Sequence, residues 1–264
     1  MNTFSSEAAS FAAEVVNCFP SPAQVLAEVA EDYPPPVRES QLLDVERIVY
    51  HIELVQRYGK SGGRICDIGG GVGLFSPGCA ALGYGITLVD DFKDEINFNS
   101  GEVFVPHARH GVKIMSCDVI AEPLEFPENS FDVVTAFDSM EHWQHSPRRL
   151  FLMLRKALAP AGIFIIGVPK RKSLARRLTT LLGRGHQSVV RDWYKSDIFL
   201  DDVREPRVSD LRYICSDLDM AILTVIGRNW LDRMSYPLVA KLTDPVLRMR
   251  PELCSDLYVV AAIR

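Results

Sequence analysis

A glycine-rich run beside an acidic residue is the most informative feature of the 264-residue chain. Asp67 is followed by Gly69, Gly71 and Gly73, and glycines let a backbone turn tightly and approach a ligand without interference from Cβ atoms. A dinucleotide-binding G-x-G-x-x-G loop would need a glycine where Leu74 stands. A carboxylate beside the loop suits an ammonium group and repels a pyrophosphate. We therefore expect a ligand with ammonium and adenosine parts, with NAD(P) as the alternative.

Two more acidic positions follow the next apolar runs along the chain. Asp90 ends one run and is followed by Asp91, and Asp118 follows the next run. An acid at the tip of a strand is placed to accept hydrogen bonds from both ribose hydroxyls. Asp118 could accept a hydrogen bond from an adenine amino group. The acids therefore favour an adenosyl ligand.

Side chains that could bind a metal or move a proton follow the apolar run that ends at Phe137. Asp138, Glu141 and His142 stand at i, i+3 and i+4, a spacing that places all three on one face of a helical turn. They could hold Mg²⁺ or Mn²⁺ as a Lewis acid for an aliphatic hydroxyl, and no cysteine joins them to favour Zn²⁺. Without metal, His142 or His145 would be the general base near neutral pH. A third interpretation is that Glu141 and His142 only pack against the next helix.

Alternating strands and helices must position these residues. From residue 64 onward, short apolar runs alternate with helical segments, which is typical of βαβ units around a parallel sheet. The last two strands arrive close together, so we predict an α/β fold with a Rossmann-like, seven-stranded, mostly parallel sheet, an antiparallel edge strand and helices on both faces. The predicted strands are Arg64–Ile68, Gly85–Asp90, Lys113–Cys117, Phe131–Phe137, Gly162–Val168, Ala221–Ile226 and Leu257–Ile263. The predicted helices are Leu74–Leu82, Asp94–Ser100, Ser146–Leu158 and Val208–Asp217.

Two segments lie outside this alternation. Residues 1–60 are predicted to form an N-terminal helical extension, and residues 61–264 the domain that carries the sheet. Residues 169–205 fit no strand–helix unit, and their leucines at helical spacing predict a lid-like insert over the carboxyl edge of the sheet. The extension contains the predicted helices Glu7–Cys18, Ser21–Val29 and Glu39–Tyr58, with a rigid break at Tyr33–Pro36.

Taken in order, these motifs resemble class I S-adenosylmethionine (SAM) methyltransferases. The resemblance covers about residues 60–230 and rests on the Asp67–Gly73 loop, Asp90, Cys117-Asp118 and the stretches Glu122–Val134 and Leu154–Gly162. It implies a SAM-dependent methyltransferase with Asp67 near the methionine ammonium, Asp90 on the ribose and Asp118 on the adenine. The cofactor-binding residues it implies are Asp67, Gly69, Gly71, Gly73, Asp90, Asp91, Asp118, Val119 and Phe137.

The candidate catalytic residues His142, His145 and Glu141 carry a narrower resemblance. The run from Asp138 to His142 is similar to the Glu-x-x-Glu-His metal motif of ubiquinone-pathway O-methyltransferases and plant small-RNA 2′-O-methyltransferases, with Asp138 in place of the first Glu. The RNA enzymes add a later histidine, for which His186 is the candidate. The Asp90-Asp91 pair also resembles an Mg²⁺-binding pair of macrolide-sugar methyltransferases. The metal set that this implies is Asp138, Glu141, His142 and His186.

The acceptor is predicted less specifically. The stretches Asp90–Phe92, Val203–Glu205 and Gly227–Asn229 resemble bacterial methyltransferases found with polysaccharide genes. A hydroxyl of a saccharide or another small molecule is therefore the first expectation. The alternatives are a phenol, quinone precursor or polyketide, methylated at oxygen, carbon or nitrogen, and a SAM-binding partner protein without activity.

Charge and composition bear on partners and location. The formal net charge is −5, which disfavours nucleic acid as the partner. The six cysteines form no CxxC pair, the N-terminus has no basic signal-peptide region, and the longest apolar stretch, Ala161–Val168, is too short to cross a bilayer. We expect a cytoplasmic protein without stable membrane insertion, whose N-terminal helices could make homodimer contacts.

Overall fold

A computed structural model of the chain describes residues 20–93, 101–143, 145–169, 206–230 and 244–264. Its strands are β1 Arg64–Ile68, β2 Gly85–Asp90, β3 Lys113–Ser116, β4 Phe131–Phe137, β5 Leu158–Pro169, β6 Met220–Arg228 and β7 Asp256–Ile263. They form one seven-stranded sheet in the order β3-β2-β1-β4-β5-β7-β6. Strands β1 to β5 pair in parallel, and β7 is antiparallel to both of its neighbours, β5 and β6.

This sheet confirms the predicted fold class. The late pair of strands is antiparallel, as the sequence predicts, with β7 inserted beside β5 and β6 forming the edge. Strand β5 is longer than predicted, because Phe131 at the start of β4 pairs with Leu158 across a register shift. The central strands are largely buried on both faces, which explains their unbroken apolar runs.

Helices cover both faces of the sheet. They are α1 Pro22–Ala30, α2 Pro35–Leu43, α3 Val45–Tyr58, α4 Phe75–Ala81, α5 Val105–Arg109, α6 Arg148–Ala157 and α7 Val208–Asp217. Helix α1 begins at a capping box, in which the Ser21 side chain accepts from the Gln24 N–H and the Gln24 side chain accepts from the Ser21 N–H. Within the described ranges, no helix is both long and apolar enough to span a bilayer.

The N-terminal extension departs from two predictions. The break expected at Tyr33–Pro36 is shorter than predicted, because Pro35 and Pro36 open α2 in its first turn, where a helix needs no N–H donor. The single helix predicted over residues 39–58 is two helices. The backbone of Asp44 interrupts it at φ −110° and ψ 10°.

Several predictions fall on residues outside the described ranges. These are the helices at residues 7–18 and 94–100 and nearly all of the insert at 169–205, of which only Pro169 is described, as the last residue of β5. The division at residue 60 stays a prediction, although α3 ends close to it, at Tyr58.

The core has two parts, one on each face of the sheet. On one face, Leu26 of α1 and Ile52 of α3 pack with Ile65 and Val133 of the central strands. The opposite face is covered by α6 and α7, whose apolar side chains pack against β4, β5 and β7. The N-terminal helices therefore share a core with the sheet.

The fold brings the predicted site residues of the described ranges to the carboxyl edge of the sheet. Strand β1 lies between β2 and β4, which is where the strand order reverses and where open α/β sheets bind ligands. The segments that leave this edge begin at Gly69 after β1, at Asp91 after β2 and at Asp138 after β4.

Candidate functional site

Asp67 lies beneath the glycine loop and is 1% exposed. Its Oδ2 accepts a hydrogen bond from Ser76 Oγ and its Oδ1 accepts one from Thr135 Oγ1, both at 2.8 Å. Burial raises the pKa of this carboxyl to about 6, although the two hydroxyl donors act to lower it. A Cβ atom at Gly70 would overlap Oδ2. Asp67 thus supports the loop from below, and its contact with an ammonium group stays a prediction.

The glycines of the loop meet different constraints. Gly69 has a φ of 68°, and a Cβ there would overlap Ser139 of the segment after β4. Gly71 has a φ of 57° and faces open space, since no atom lies within 4 Å of an added Cβ. Neither crowding nor backbone conformation demands a glycine at Gly73. The loop is therefore packed closely at its first residue and open at its third, where a ligand has room.

Asp90 connects the end of β2 to the glycine loop. Its Oδ2 accepts a hydrogen bond from the Gly71 N–H at 2.9 Å, and its Oδ1 accepts one from the Phe92 N–H at 2.7 Å. These bonds hold the carboxylate at the end of β2, against the glycine loop. The predicted ribose role is compatible with this position and stays a prediction.

Lys93 joins the two other acids of the predicted cofactor site. Its Nζ lies 3.1 Å from Asp91 Oδ2 and 3.5 Å from Asp118 Oδ2. The backbone N–H groups of Ala121 and Ile120 donate to Asp118 Oδ1 and lower the pKa of that carboxyl, against the opposing effect of partial burial. The edge of the sheet therefore carries a cation that the sequence analysis did not single out.

The segment after β4 does not form the helical face predicted for Asp138, Glu141 and His142. Asp138 has a left-handed backbone with a φ of 49°, and only Met140–His142 forms a turn, of 3₁₀ type. The Asp138 carboxylate pairs with Arg47 of α3, which also pairs with Asp44. The spacing argument fails because it requires one continuous helical turn from 138 to 142.

Glu141 and His142 nevertheless lie together. Glu141 is 1% exposed, the side chain of His142 is 48% exposed, and Glu141 Oε1 lies 3.9 Å from His142 Nε2. The second candidate base, His145, is exposed. An exposed imidazole backed by a buried carboxylate can accept a proton from a bound hydroxyl.

The predicted metal site does not fit these side chains. Among the described residues, no group of three His, Cys, Asp or Glu side chains could hold a metal ion. Asp138 is directed to Arg47, and Asp91 of the alternative acidic pair is directed to Lys93. His186, the remaining predicted ligand, lies outside the described residues.

Phe137 and Val119, two predicted cofactor-binding residues, have buried side chains. The ring of Phe137 stacks on His51 of α3, with centroids 4.0 Å apart and planes 6° from parallel. Nε2 of His51 lies 3.0 Å from the Tyr258 hydroxyl, and burial, assisted by Arg47, holds the pKa of His51 well below its usual range. The Phe137 ring is thus packed in the core, and its contact with a cofactor stays a prediction.

A family model for a methyltransferase domain matches residues 45–198, more than half of the chain. The matched range includes α3, the glycine loop, the ends of β2 and β3 and the segment after β4. The chain belongs to this methyltransferase family. The family, the strand order and the loop agree with the resemblance to class I SAM-dependent methyltransferases and disfavour the NAD(P) alternative.

Similar proteins agree with this assignment. The methyltransferase is 27% identical over 164 residues to the mitochondrial ubiquinone biosynthesis O-methyltransferase of Schizosaccharomyces pombe, and the match spans 59% of each protein. The chain thus spans less than two thirds of that relative's length.

Two crystal structures of SAM-dependent methyltransferases share the fold. One, from Mesorhizobium loti, is 18% identical with a TM-score of 0.53, and the match covers 80% of this chain and 96% of that one. The other, from Thermotoga maritima, is 14% identical with a TM-score of 0.55, and covers 90% of this chain and 100% of that one.

Sequence reasoning missed several residues that shape the methyltransferase site. Gly70 stands in the same glycine run, but the predicted motif uses only Gly69, Gly71 and Gly73. Arg47, His51 and Lys93 carry no spacing signal, because their contacts to Asp138, Phe137 and Asp118 join distant parts of the chain.

Proposed function

We propose that this methyltransferase transfers a methyl group from SAM to the hydroxyl oxygen of a small phenolic or quinol-type acceptor. The observation that carries the proposal is the exposed His142 imidazole backed by buried Glu141, in the segment after β4 whose Ser139 packs on Gly69. The name of the fission-yeast relative, a ubiquinone biosynthesis O-methyltransferase, supports transfer to oxygen.

The donor side of the proposal assigns SAM to the edge formed by β1, β2 and β3. The open space above Gly71 would take the donor, Asp90 its ribose hydroxyls and Asp118 its adenine. When bound, SAM supplies a methyl group on a sulfonium sulfur, a good leaving group. The protein must then align the acceptor oxygen and remove its proton.

The choice of a phenolic acceptor follows from the acidity of its hydroxyl group. A phenol has an ordinary pKa near 10, as tyrosine does, whereas an aliphatic hydroxyl is a far weaker acid and calls for a Lewis acid. His142 can take the phenolic proton onto a ring nitrogen while Glu141 stabilises the imidazolium. The phenolate oxygen forms the new bond to the methyl carbon, and the electron pair of the broken carbon–sulfur bond stays on sulfur. Charge and atoms balance without a metal.

A saccharide hydroxyl, the first expectation from the sequence, is the second acceptor class in the test. It would need stronger activation than a lone imidazole supplies, and the described side chains do not assemble the metal site that would provide it. It stays a prediction from the sequence resemblance alone.

The experiment measures transfer of the methyl group from isotopically labelled SAM to a panel of acceptors. The panel contains catechol, a dihydroxybenzoate and an alkyl glucoside, and the products are identified by mass spectrometry. We expect methylation of a phenolic oxygen, and a decrease in kcat of roughly 10²–10⁴-fold for His142→Ala, the usual contribution of a general base. The matched control His110→Ala removes a histidine that follows α5 and lies 3.6 Å from Asp32, outside the segment after β4.

Three outcomes would contradict the proposal. Exclusive methylation of the glucoside would replace the phenolic acceptor by a saccharide. Full activity of His142→Ala together with inactivity of His145→Ala would transfer the role of base to His145. No binding of SAM to the wild-type enzyme would overturn the donor site itself.

A further inference from the structure

The N-terminal extension contacts both loops that border the proposed donor site. The Tyr33 hydroxyl donates to the carbonyl oxygens of Val72 and Gly73 at 2.8 and 3.1 Å. Gln41 of α2 accepts from the Leu74 N–H at 3.4 Å. One side of the extension is therefore bonded to the glycine loop.

Arg47, at the start of α3, bonds to the other loop. Its guanidinium pairs with Asp138 after β4 and with Asp44, whose Oδ2 also accepts from Nε at 2.7 Å. All three side chains are only about a quarter exposed. A guanidinium that bridges two carboxylates at partial burial is held more rigidly than a solvated surface pair.

Asp138 transmits this contact to the glycine loop. Its left-handed backbone sets the direction of the next residue, Ser139. The Ser139 Oγ donates to the carbonyl of Ile68 at 3.2 Å, and its Cβ packs so closely on Gly69 that no other residue fits there. Arg47, Asp138, Ser139 and Gly69 thus form one continuous series of contacts from α3 to the loop that would hold SAM.

We propose that Arg47 is a positioning residue for methyl transfer, fixing the segment after β4 against the glycine loop so that the donor and the base next to it keep one geometry. The inference rests on the proposed function for the role of His142 and on the family for SAM. Arg47 acts through Asp138 and Ser139 and need not touch either substrate.

The arrangement predicts that both the charge and the planar, forked shape of the Arg47 guanidinium are needed to hold Asp138. Lysine at position 47 would keep the charge but could not bond Asp44 and Asp138 through separate nitrogens in one plane. Asparagine at position 138 would tolerate the left-handed backbone but remove the charge that Arg47 binds. Both substitutions change the ion pair and leave the left-handed backbone of residue 138 acceptable, so they report on the ion pair alone.

The first test measures binding of the product S-adenosylhomocysteine by titration calorimetry. We expect about tenfold weaker binding for Arg47→Ala and for Asp138→Asn, because each breaks the ion pair that holds the segment after β4 against α3. Arg47→Lys is expected to recover part of the loss. Arg38→Ala is the matched control, since Arg38 pairs with Glu31, whose side chain is exposed. It should bind as the wild type does.

The second test combines the substitutions. Because both residues act through one contact, the double variant Arg47→Ala/Asp138→Asn should bind about as weakly as either single variant, rather than about a hundredfold more weakly than the wild type. In the methyl-transfer assay, kcat should decrease more than KM for SAM rises, a split that general destabilisation would not produce.

The outcomes separate this inference from the proposed function. Wild-type binding together with unchanged binding by Arg47→Ala, or strictly additive losses in the double variant, would overturn the role of Arg47 alone. A wild-type enzyme that does not bind S-adenosylhomocysteine would overturn the proposed donor site, and this inference with it. Circular dichroism melting identifies a variant that fails to fold, in which case Asp138→Asn carries the test.

Discussion

Asp67 combines a charge with nearly complete burial, and the protein stabilises it with two hydroxyl donors. Burial raises its pKa to about 6 from the ordinary 3.8. Above about pH 6 the carboxylate is ionised in folded and unfolded chains alike, and its burial costs up to about 3 kcal/mol. As the pH falls from 6 towards 4, only the folded chain takes up the proton, so this cost disappears.

Asp67→Asn should therefore raise the free energy of unfolding at pH 7.5, by up to about 3 kcal/mol, and raise it much less at pH 4.5. Urea unfolding followed by fluorescence at the two pH values measures the difference. Asp132→Asn is the control of opposite sign. Burial acts to raise the pKa of Asp132, but its bonds with Arg64 lower it, so its loss should destabilise at pH 7.5. An Asp67→Asn variant less stable than the wild type at both pH values would contradict the prediction.

Gly70 has a different constraint from its neighbours in the loop. Its φ is not left-handed, yet a Cβ atom would overlap Oδ2 of Asp67 and lie 2.8 Å from Leu88 Cδ1. Because the overlapped carboxylate is buried and bonded, neither group can move away cheaply.

Gly70→Ala is expected to lower the free energy of unfolding by roughly 1–3 kcal/mol and to weaken binding of S-adenosylhomocysteine. Gly101→Ala is the matched control, since no atom lies within 4 Å of a Cβ at Gly101. Thermal melting of both variants checks the first effect and calorimetry the second. Equal melting temperatures for the two variants would show that the loop can move away from Asp67.

At the scale of elements, an ion pair joins the segment after β4 to helix α3. Asp138, which the spacing assigns to a metal, is turned towards Arg47 by its left-handed backbone. Glu141 and His142 follow in a 3₁₀ turn that brings their side chains together without Asp138. An ion pair from another element thus changes the chemistry that the local spacing predicts.

Removal of divalent metal tests whether Asp138 serves as a metal ligand or only as the partner of Arg47. We expect the methyl-transfer rate to be unchanged after dialysis against EDTA, because Asp138 and Asp91 are bonded to cationic side chains in place of a metal. The measurement compares the EDTA-treated enzyme with the same enzyme resupplied with Mg²⁺ or Mn²⁺. Loss of activity that either ion restores would contradict it and require Asp138 to leave Arg47.

At the scale of the whole molecule, one core joins the N-terminal helices to the methyltransferase sheet. Leu26 packs so closely on α4 that Gly78 cannot carry a Cβ, and α3 supplies Ile52 to the same cluster. The extension is therefore expected to be required for a stable fold as well as for the positions of both loops at the carboxyl edge.

The sequence by itself determined the fold and nominated the residues of the candidate site. Apolar runs of strand length, separated by helical periods, can bury themselves only as a sheet between helices, so the bounds of β1, β2 and β4 agree with the predicted ones. Glycines and acids at strand ends are local features, and features formed by neighbours in the chain can be predicted from the sequence.

Only the tertiary structure decided what the site side chains contact. Arg47 and Asp138 are 91 positions apart, and Lys93 meets Asp118 across neighbouring strand ends. A carboxylate binds a metal or a guanidinium according to which group the fold brings within reach. Sequence spacing describes only neighbours on the same turn, so it could nominate these carboxylates but not choose their partners.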